Sequence, residues 1–300
     1  MSVSRILISP EGPQFSRLVM GYWRLLEWRM SAQQLLGFIE QHVELGITTI
    51  DHADIYGNYG CESAFGQALK LKPKLREQLQ IVSKCGIALP SEHTQYRLAH
   101  YNSEKAHILA SVDRSLHNLS TDHLDLLLLH RPDPLMSADE VAKAFNQLRR
   151  SGKVRHFGVS NFTPSQLALL QSRLDYPLVT NQVEISPIRQ HAITDGTLDQ
   201  CQQHQFKPMA WSCLGGGALV NAPAYQPLRD ELSQIALEVD AASIAQVVFA
   251  WIMMLPSHPL PILGSGKIER IRQAVQAENV VLSRQHWYRI RRAALGRDVD

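Results

Sequence analysis

Short apolar runs, each followed by a stretch with helical periodicity, recur along almost the whole chain. The run LDLLLLH has no alternation of apolar and polar residues, which is typical of a strand buried on both faces of a parallel sheet. Helix-start signals follow several runs, for example Pro164 directly after Thr163. Eight runs fit this description and are interpreted as strands: residues 18–21, 48–51, 81–84, 124–130, 154–160, 178–182, 208–212 and 261–265.

Strands that alternate with helices predict an α/β protein with a parallel sheet and helices outside it. Eight such units favour a closed (β/α)8 TIM barrel over an open doubly wound sheet. An open sheet that binds a dinucleotide would carry a G-x-G-x-x-G segment after an early strand, and the sequence has none. No linker divides the chain, so we expect a single barrel domain over residues 1–300. We also expect an N-terminal hairpin of residues 5–8 and 16–19, and additional C-terminal helices over Ala242–Met254 and Ser283–Leu295.

The composition argues against several classes of function. A formal net charge of +2, with no run of five or more basic residues, does not suggest nucleic-acid binding. The apolar stretch Ile6–Ile8 is shorter than a signal peptide or a membrane span needs. The cysteines form no C-x-x-C pair, and no Cys/His grouping has the spacing of a metal site. We therefore expect a cytoplasmic protein with reduced thiols that acts on a small molecule and binds no metal, nucleic acid or membrane.

Polar residues end most of the predicted strands. Active sites of barrels lie at the carboxyl ends of the strands, so these residues are candidates for a functional site. Each has a structural explanation when taken alone, since Asp51 could cap the next segment and His130 could be a core histidine. Burying an acid, a lysine and a histidine together without partners would cost several kcal/mol, which favours a shared site. The strand-end residues are Asp51, Lys84, His130, Ser160, Asn161, Gln182, Trp211 and Ser212.

The segment DHADIYG (51–57) resembles the D-x-A-x-x-Y segment of the aldo-keto reductase superfamily, which carries a catalytic acid and its tyrosine. The resemblance continues in order along the chain through VSK (82–84), DLLLLHRPDP (125–134), GKVRHFGVSNF (152–162) and NQVEISP (181–187). MGYWRL, HADIYG, AWSCLGGG and PLPILGSGKIER resemble the YdhF-type group of bacterial oxidoreductases. Matches in order over the full length are more specific than any single motif.

The resemblance implies an NADPH-dependent oxidoreductase that reduces an aldehyde or ketone to the alcohol by hydride transfer. Tyr56 would donate the proton to the carbonyl oxygen. The Lys84 ammonium would lower the pKa of the Tyr56 phenol, because a nearby positive charge favours the phenolate. Asp51 would hold Lys84 charged and in place, and His130 would hydrogen-bond the substrate oxygen.

The resemblance also implies a set of cofactor-binding residues. Ser160, Asn161 and Gln182 would bind the nicotinamide carboxamide, and Trp211 would stack on the nicotinamide ring, where many relatives have tyrosine. Arg270 would contact the 2′-phosphate, since a guanidinium suits a phosphate fork. The further positions are Gly21, Tyr22 and Trp23 beside the nicotinamide, Ser212, Cys213, Leu214 and Gly216 near the pyrophosphate, and Gly264, Ser265, Gly266, Lys267 and Gln273 near the adenine end.

Two departures from the family pattern affect the adenine end. Gly264 stands where many NADPH-using relatives carry a lysine, and Gln273-Ala274 stands where they carry a Glu-Asn pair. We therefore predict that NADPH is preferred to NADH, but by a smaller margin than in relatives with both cations. Tyr22, Trp23, Tyr96 and Tyr101 suggest an aromatic, largely apolar substrate pocket.

Two other functions fit the same barrel. Lys84 could be the Schiff-base nucleophile of an aldolase, although that leaves the Ser-Asn, Gln and Arg positions unexplained. The chain could also be a cofactor-sensing regulatory subunit with little turnover. The set formed by Asp51, Tyr56, Lys84 and His130 favours an enzyme.

Overall fold

The computed structural model describes residues 2–92 and 94–298. Eight parallel strands close into a barrel, while the other four strands form two separate antiparallel hairpins, β1–β2 and β6–β7. The prediction of a (β/α)8 TIM barrel is confirmed. The strands are β1 Arg5–Leu7, β2 Gln14–Ser16, β3 Val19–Gly21, β4 Thr49–Asp51, β5 Gln80–Cys85, β6 Ile87–Ala88, β7 His100–Tyr101, β8 Leu124–Leu129, β9 Val154–Ser160, β10 Asn181–Glu184, β11 Met209–Trp211 and β12 Leu260–Leu263.

Helices connect the barrel strands, and their apolar faces are buried. Several begin where the sequence carries a capping residue: the Ser31 and Thr163 hydroxyls each accept a hydrogen bond from the backbone N–H three residues later. The helices are α1 Ala32–Glu44, α2 Tyr56–Tyr59, α3 Cys61–Leu71, α4 Lys105–Leu119, α5 Ala138–Arg150, α6 Pro164–Gln171, α7 His191–Thr194, α8 Thr197–Gln203, α9 Ala218–Asn221, α10 Gln226–Glu238, α11 Ile244–Met253, α12 Ile268–Val275 and α13 Arg284–Leu295.

The core has two layers, which explains why the strands read as continuous apolar runs. On β8, Leu127 and Leu129 belong to the large cluster that includes the buried helix residues, whereas Leu126 and Leu128 belong to a smaller cluster. That smaller cluster also contains Val19 and Leu260, which begin the neighbouring strands β3 and β12. Successive residues of a strand point to opposite faces, so a strand between two apolar layers has no polar side.

The N-terminal hairpin closes the amino-terminal end of the barrel. Ile8 and Phe15 are fully buried and pack in the same small cluster as Val19. The predicted second strand, residues 16–19, is displaced to Gln14–Ser16, because Val19 already belongs to the first barrel strand. The opposite end of the barrel, where the strands terminate, is left for the candidate site.

The two additional C-terminal helices are present as α11 and α13, and a tryptophan pair joins them. The rings of Trp251 and Trp287 stack at 4.9 Å between centroids. Each indole N–H donates to the other residue's backbone carbonyl, at 3.1 and 3.2 Å. This reciprocal contact fixes the last helix against the helix that precedes β12.

Within residues 2–92 and 94–298, no helix is both long and apolar enough to cross a membrane. The same residues contain no group of three or more His, Cys, Asp or Glu side chains placed to hold a metal ion. The four cysteines are buried and form no disulfide.

Candidate active site

The strand-end residues predicted from the sequence meet at the carboxyl end of the barrel. The Gln182 Nε2 donates to Asp51 Oδ1 at 2.7 Å, although these residues are 131 positions apart in the chain. The Ser160 hydroxyl donates to the Gln182 carbonyl at 2.8 Å. Asp51 and Ser160, which end β4 and β9, are thus both joined to Gln182 of β10.

Lys84 lies at the centre of this group. Its Nζ donates to Asp51 Oδ2 at 2.8 Å, to the His52 carbonyl at 2.7 Å and to the Tyr56 hydroxyl at 2.9 Å. The side chains of Lys84 and Asp51 are 0% and 4% exposed, so the ion pair is shielded from water. All three ammonium hydrogens therefore have an acceptor, which is what a buried lysine needs to remain charged.

The segment after β4 places Tyr56 above Lys84. The backbone N–H of His52 donates to Val82, and that of Asp54 donates to the Lys84 carbonyl at 3.0 Å, so the chain stays beside β5 beyond the end of β4. Gly57 then turns the chain with a φ of 58°, in the left-handed region that glycine adopts freely. A Cβ at Gly57 would lie 2.6 Å from Cys61 Sγ, so any other residue there would force the neighbouring side chains to move.

Burial raises the pKa of Tyr56 above its ordinary value, and the Lys84 ammonium opposes this rise without cancelling it. The contribution of Lys84 has the predicted sign, but desolvation of the phenolate is larger, so the Tyr56 pKa is raised overall. Burial also disfavours the ammonium of Lys84, yet Asp51 and Tyr56 together raise the pKa of Lys84. The lysine is therefore charged and the phenol is protonated.

His130 stands beside Tyr56 as a neutral imidazole. The two rings meet edge to face with 5.8 Å between centroids. Burial, followed by the charges of Lys84 and Arg131, holds the pKa of His130 well below its ordinary value. The Nδ1 atom is buried and has no hydrogen-bond partner among the described residues. A neutral imidazole carries its proton on one nitrogen only, so a tautomer with the proton on Nε2 leaves Nδ1 as the acceptor.

Asn161 is held in one orientation by its neighbours. Its backbone has a φ of 61°, and its N–H donates to the Gln182 carbonyl at 2.9 Å. The side-chain Nδ2 donates to the His130 carbonyl at 3.2 Å and to Ser160 Oγ at 2.9 Å. The Trp211 indole N–H donates to Asn161 Oδ1 at 3.1 Å. Nothing in the sequence indicates this last hydrogen bond. A tyrosine at position 211 would have no ring N–H group to donate.

Tyr22, which follows β3, does not point where the sequence predicted. Its ring is fully buried, its hydroxyl is 2.7 Å from His42 Nε2, and it stacks on His52 at 5.0 Å. The prediction that this side chain faces the nicotinamide or the substrate pocket is therefore wrong, and only its backbone remains available. Trp23 is 55% exposed, and Gly21 packs closely enough that a Cβ would lie 2.7 Å from Ile262.

His52 belongs to the same aromatic cluster as Tyr22. Besides the stack on Tyr22, its ring packs edge to face on Phe65 at 4.8 Å, and neither ring nitrogen has a hydrogen-bond partner in the described chain. Burial and then the charge of Lys84 lower the pKa of His52 to about 3. The residue is thus a neutral histidine of the core.

The loop after β11 is built from residues with positive φ. Ser212, Gly215, Gly216 and Gly217 all lie in that region, and a Cβ at Gly216 would meet nothing within 4 Å. Arg24 Nη2 donates to the Gly216 carbonyl at 3.1 Å, which ties the loop to the chain segment after β3. Cys213 is buried with its Sγ 3.2 Å from the Ala210 carbonyl, so it offers only its backbone, while Leu214 is half-buried.

The segment after β12 presents exposed cations at the start of α12. Lys267 and Arg270 are exposed and form no ion pair within the described ranges, and Gln273 is exposed one turn further on. The Ser265 hydroxyl accepts from the Lys267 backbone N–H at 3.2 Å. Gly264 has open space around it, whereas a Cβ at Gly266 would lie 2.5 Å from the Trp28 ring. Unengaged cations at a helix N-terminus suit a phosphate-bearing ligand.

Asp54 carries another buried carboxyl in the segment that follows β4. Asp54 is 3% exposed, and neither carboxyl oxygen has a hydrogen-bond partner among the described atoms. Burial, then the neighbouring Glu62, raises the pKa of Asp54 well above its ordinary value. The sequence shows Asp54 inside the family motif but not its burial, so this group could not be recognised as protonated beforehand.

Comparison with known proteins agrees with this geometry. The sequence profile of the Aldo/keto reductase family matches residues 17–294. The chain belongs to the aldo/keto reductase family. It is 65% identical over 297 residues to Oxidoreductase YdhF of Escherichia coli strain K12, with 99% of each chain covered. It is 43% identical over 290 residues to a 6-dehydroglucose reductase of Agrobacterium fabrum, with 95% of this chain and 96% of that one covered.

Solved structures of the family share the same barrel. A crystal structure of the aldo/keto reductase of Klebsiella pneumoniae in complex with NADP and acetate superposes with a TM-score of 0.79 at 27% identity. The match covers 97% of this chain and 95% of the other. The predicted family membership is confirmed, and this aldo/keto reductase is an oxidoreductase of the same fold.

Proposed function

We propose that this aldo/keto reductase uses NADPH to reduce an aldehyde or ketone, with Tyr56 as the proton donor. One observation carries the proposal: Lys84 Nζ binds the Tyr56 hydroxyl at 2.9 Å and the Asp51 carboxylate at 2.8 Å at the same time. A phenol that receives a hydrogen bond from a buried ammonium can release its proton, because the cation stabilises the phenolate left behind.

His130 orients the carbonyl group in this proposal. A neutral imidazole with its proton on Nε2 would donate a hydrogen bond to the carbonyl oxygen. The ring centroids of His130 and Tyr56 are 5.8 Å apart, so both side chains can face the same carbonyl group. Because the pKa of His130 is held far below neutrality, the imidazole does not compete with Tyr56 as the acid. The division of roles follows from burial: His130 donates a hydrogen bond and Tyr56 transfers the proton.

The residues around the site fit a nicotinamide cofactor. NADPH, when bound, supplies the hydride. Gln182 uses its Nε2 on Asp51, which leaves its Oε1 as an acceptor for a carboxamide beside Ser160 and Asn161. Trp211 offers a flat ring for stacking, and Arg270 and Lys267 are exposed cations for a 2′-phosphate. Without the lysine that Gly264 replaces, we expect a modest preference for NADPH over NADH.

The aldolase alternative is disfavoured by the state of Lys84. A Schiff base forms from a neutral amine, but the pKa of Lys84 is raised by Asp51 and Tyr56 and all three hydrogens are engaged. A regulatory subunit with little turnover would have the same geometry. Measured rates of carbonyl reduction distinguish it from an enzyme. We also propose that the protein is a single domain that works in the cytoplasm, which its four buried, unpaired cysteines support.

The proposal is tested with Tyr56→Phe, using 4-nitrobenzaldehyde and NADPH. The variant is expected to lose several orders of magnitude in kcat while retaining its affinity for NADPH in a fluorescence titration, because only the proton donor is removed. Tyr176→Phe is the matched control, since the Tyr176 hydroxyl is buried without a partner among the described residues and lies outside the site. Near wild-type turnover by Tyr56→Phe would rule the proton-donor role out.

A further inference from the structure

Two chain segments carry the proposed proton donor and its lysine, and hydrogen bonds join these segments ahead of Tyr56. The backbone N–H of His52 donates to the Val82 carbonyl at 2.9 Å, and that of Asp54 donates to the Lys84 carbonyl at 3.0 Å. Lys84 Nζ then donates to the Tyr56 hydroxyl at 2.9 Å. The chain before Tyr56 is thus fixed to β5, so the direction of the Tyr56 ring also depends on what holds the chain after it.

The chain turns sharply after Tyr56 through three residues in the left-handed backbone region. The φ angles are 58° at Gly57, 53° at Asn58 and 69° at Tyr59. Glycine adopts this region freely and asparagine more readily than most residues, but a bulky residue such as tyrosine rarely does. A strained conformation persists only where the surrounding structure enforces it. Tyr59 therefore needs a contact that offsets the cost of its backbone conformation.

The side chain of Tyr59 makes such a contact, because its hydroxyl binds the backbone of Leu89 twice. The Leu89 N–H donates to the Tyr59 hydroxyl at 2.8 Å, and the hydroxyl donates to the Leu89 carbonyl at 3.4 Å. Leu89 follows Lys84 along the same segment, directly after the short strand β6. Tyr56 is therefore held from both directions along the chain, by backbone hydrogen bonds before it and by the Tyr59 hydroxyl after it.

We infer that Tyr59 is a positioning residue for the proton donor: its hydroxyl, bound to Leu89, keeps Tyr56 within hydrogen-bond distance of Lys84. The inference rests on the proposed function, because it assigns Tyr59 a part in the same proton transfer. The three hydrogens of the Lys84 ammonium are already engaged by other groups, so Tyr59 acts through the backbone turn and not on the lysine. Small displacements of a reacting group have large effects on rate, which gives this role a measurable consequence.

Tyr59→Phe tests the inference, because it keeps the ring and removes only the hydroxyl. The reaction is the reduction of 4-nitrobenzaldehyde by the holoenzyme with NADPH. We expect kcat to fall about tenfold, since a displacement of about 1 Å costs about a hundredfold and the turn shifts by less. KM for the aldehyde should stay within about twofold of wild type, because the hydroxyl is assigned to the proton donor and not to substrate binding. The solvent deuterium isotope effect on kcat should rise, because proton transfer becomes the slower step.

Thr94→Val is the matched control, because the Thr94 hydroxyl binds the same carbonyl as Tyr59. It donates to the Leu89 carbonyl at 2.8 Å from within the loop between β6 and β7. Valine keeps the shape of threonine, so this variant loosens the loop without changing the turn after Tyr56, and kcat should keep its wild-type value. An equal fall of kcat in Thr94→Val and Tyr59→Phe would show that the loop sets the rate and would overturn the inference.

A double variant shows whether Tyr59 acts through Tyr56. With Tyr56→Phe there is no proton donor left to position, so the addition of Tyr59→Phe should leave the residual kcat unchanged. A further fall of about tenfold in the double variant would mean that Tyr59 acts on a different step, and the positioning role would be wrong.

A second pair of variants applies if Tyr59→Phe does not fold. Asn58 is exposed, and Asn58→Gly places glycine in a left-handed position at no steric cost. Asn58→Gly alone should have wild-type activity. Relative to it, Asn58→Gly/Tyr59→Phe should again lose about tenfold in kcat, and an unchanged kcat would overturn the inference.

The two proposals fail in distinguishable ways. If Tyr56→Phe kept near wild-type turnover, the proposed function would fail, and the role of Tyr59 with it. If Tyr56→Phe were inactive but Tyr59→Phe had the kcat and the solvent isotope effect of wild type, the inference alone would be wrong.

Discussion

Replacing Lys84 by methionine removes the centre of the buried polar group. The side chain of Met fills similar space, so packing is largely retained. The change deletes the hydrogen bonds to the Asp51 carboxylate, the His52 carbonyl and the Tyr56 hydroxyl. Asp51 is then left as a buried carboxylate whose remaining described contact is the Gln182 Nε2 at 2.7 Å.

The expected loss of stability follows from the burial of the pair. Removing one partner of a buried ion pair costs about 3–5 kcal/mol, because the other charge stays in the interior without compensation. Side-chain exposures of 0% and 4% place this pair in that class. The hydrogen bond from Gln182 still stabilises the carboxylate, so we expect about 3 kcal/mol at pH 7, the lower end of the range. Urea denaturation at pH 7 measures this loss, as the difference in the free energy of unfolding between the variant and wild type.

Two comparisons make the result decisive. The double variant Lys84→Met/Asp51→Asn removes the unpaired charge and should recover most of the stability, yet remain inactive. Lys153→Met breaks an exposed ion pair with Asp113 and should cost less than about 1 kcal/mol. If Lys84→Met cost no more than Lys153→Met, or if the double variant recovered nothing, the assignment of a buried, charge-compensated pair would be refuted.

Three further predictions concern cofactor binding and the buried carboxyl of Asp54. Trp211→Phe keeps a flat ring but removes the N–H that donates to Asn161 Oδ1 at 3.1 Å. The Kd for NADPH, measured by NADPH fluorescence, should therefore rise about three- to tenfold, and an unchanged Kd would contradict this. Arg270→Ala should weaken NADPH by about tenfold or more and leave NADH nearly unchanged, and equal weakening of both would show that the arginine does not read the 2′-phosphate. The pKa of Asp54 is raised in the folded state, so wild type loses stability as the pH rises from the unfolded pKa of Asp54 to its folded pKa. The loss is about 1.4 kcal/mol for each unit by which the folded pKa exceeds the unfolded one. Asp54→Asn should remove this loss, so its advantage in urea denaturation should be larger at pH 8 than at pH 5, and a difference independent of pH would disprove the protonated carboxyl.

The barrel and the polar residues at its carboxyl end could be predicted because local sequence patterns indicate both. A strand between two apolar layers must be apolar throughout, as β8 is, and parallel strands bring their carboxyl ends to one edge. Asp51, Lys84 and Gln182 are each the polar residue near the end of such a run, and they do meet. The roles of the cofactor residues came from resemblance to the family and stay predictions.

The sequence by itself determined which segments become strands and helices, and which side chains gather at one end of the barrel. Tertiary structure decided the electrostatics and the directions of the side chains. Tyr22 follows a strand just as Trp23 does, but a hydrogen bond with His42 takes its ring into the core. The net direction of the Tyr56 pKa depends on how completely residues from distant strands exclude water, which no local pattern records. Periodicity follows from the geometry of one chain segment, whereas burial and charge pairing depend on which segments meet.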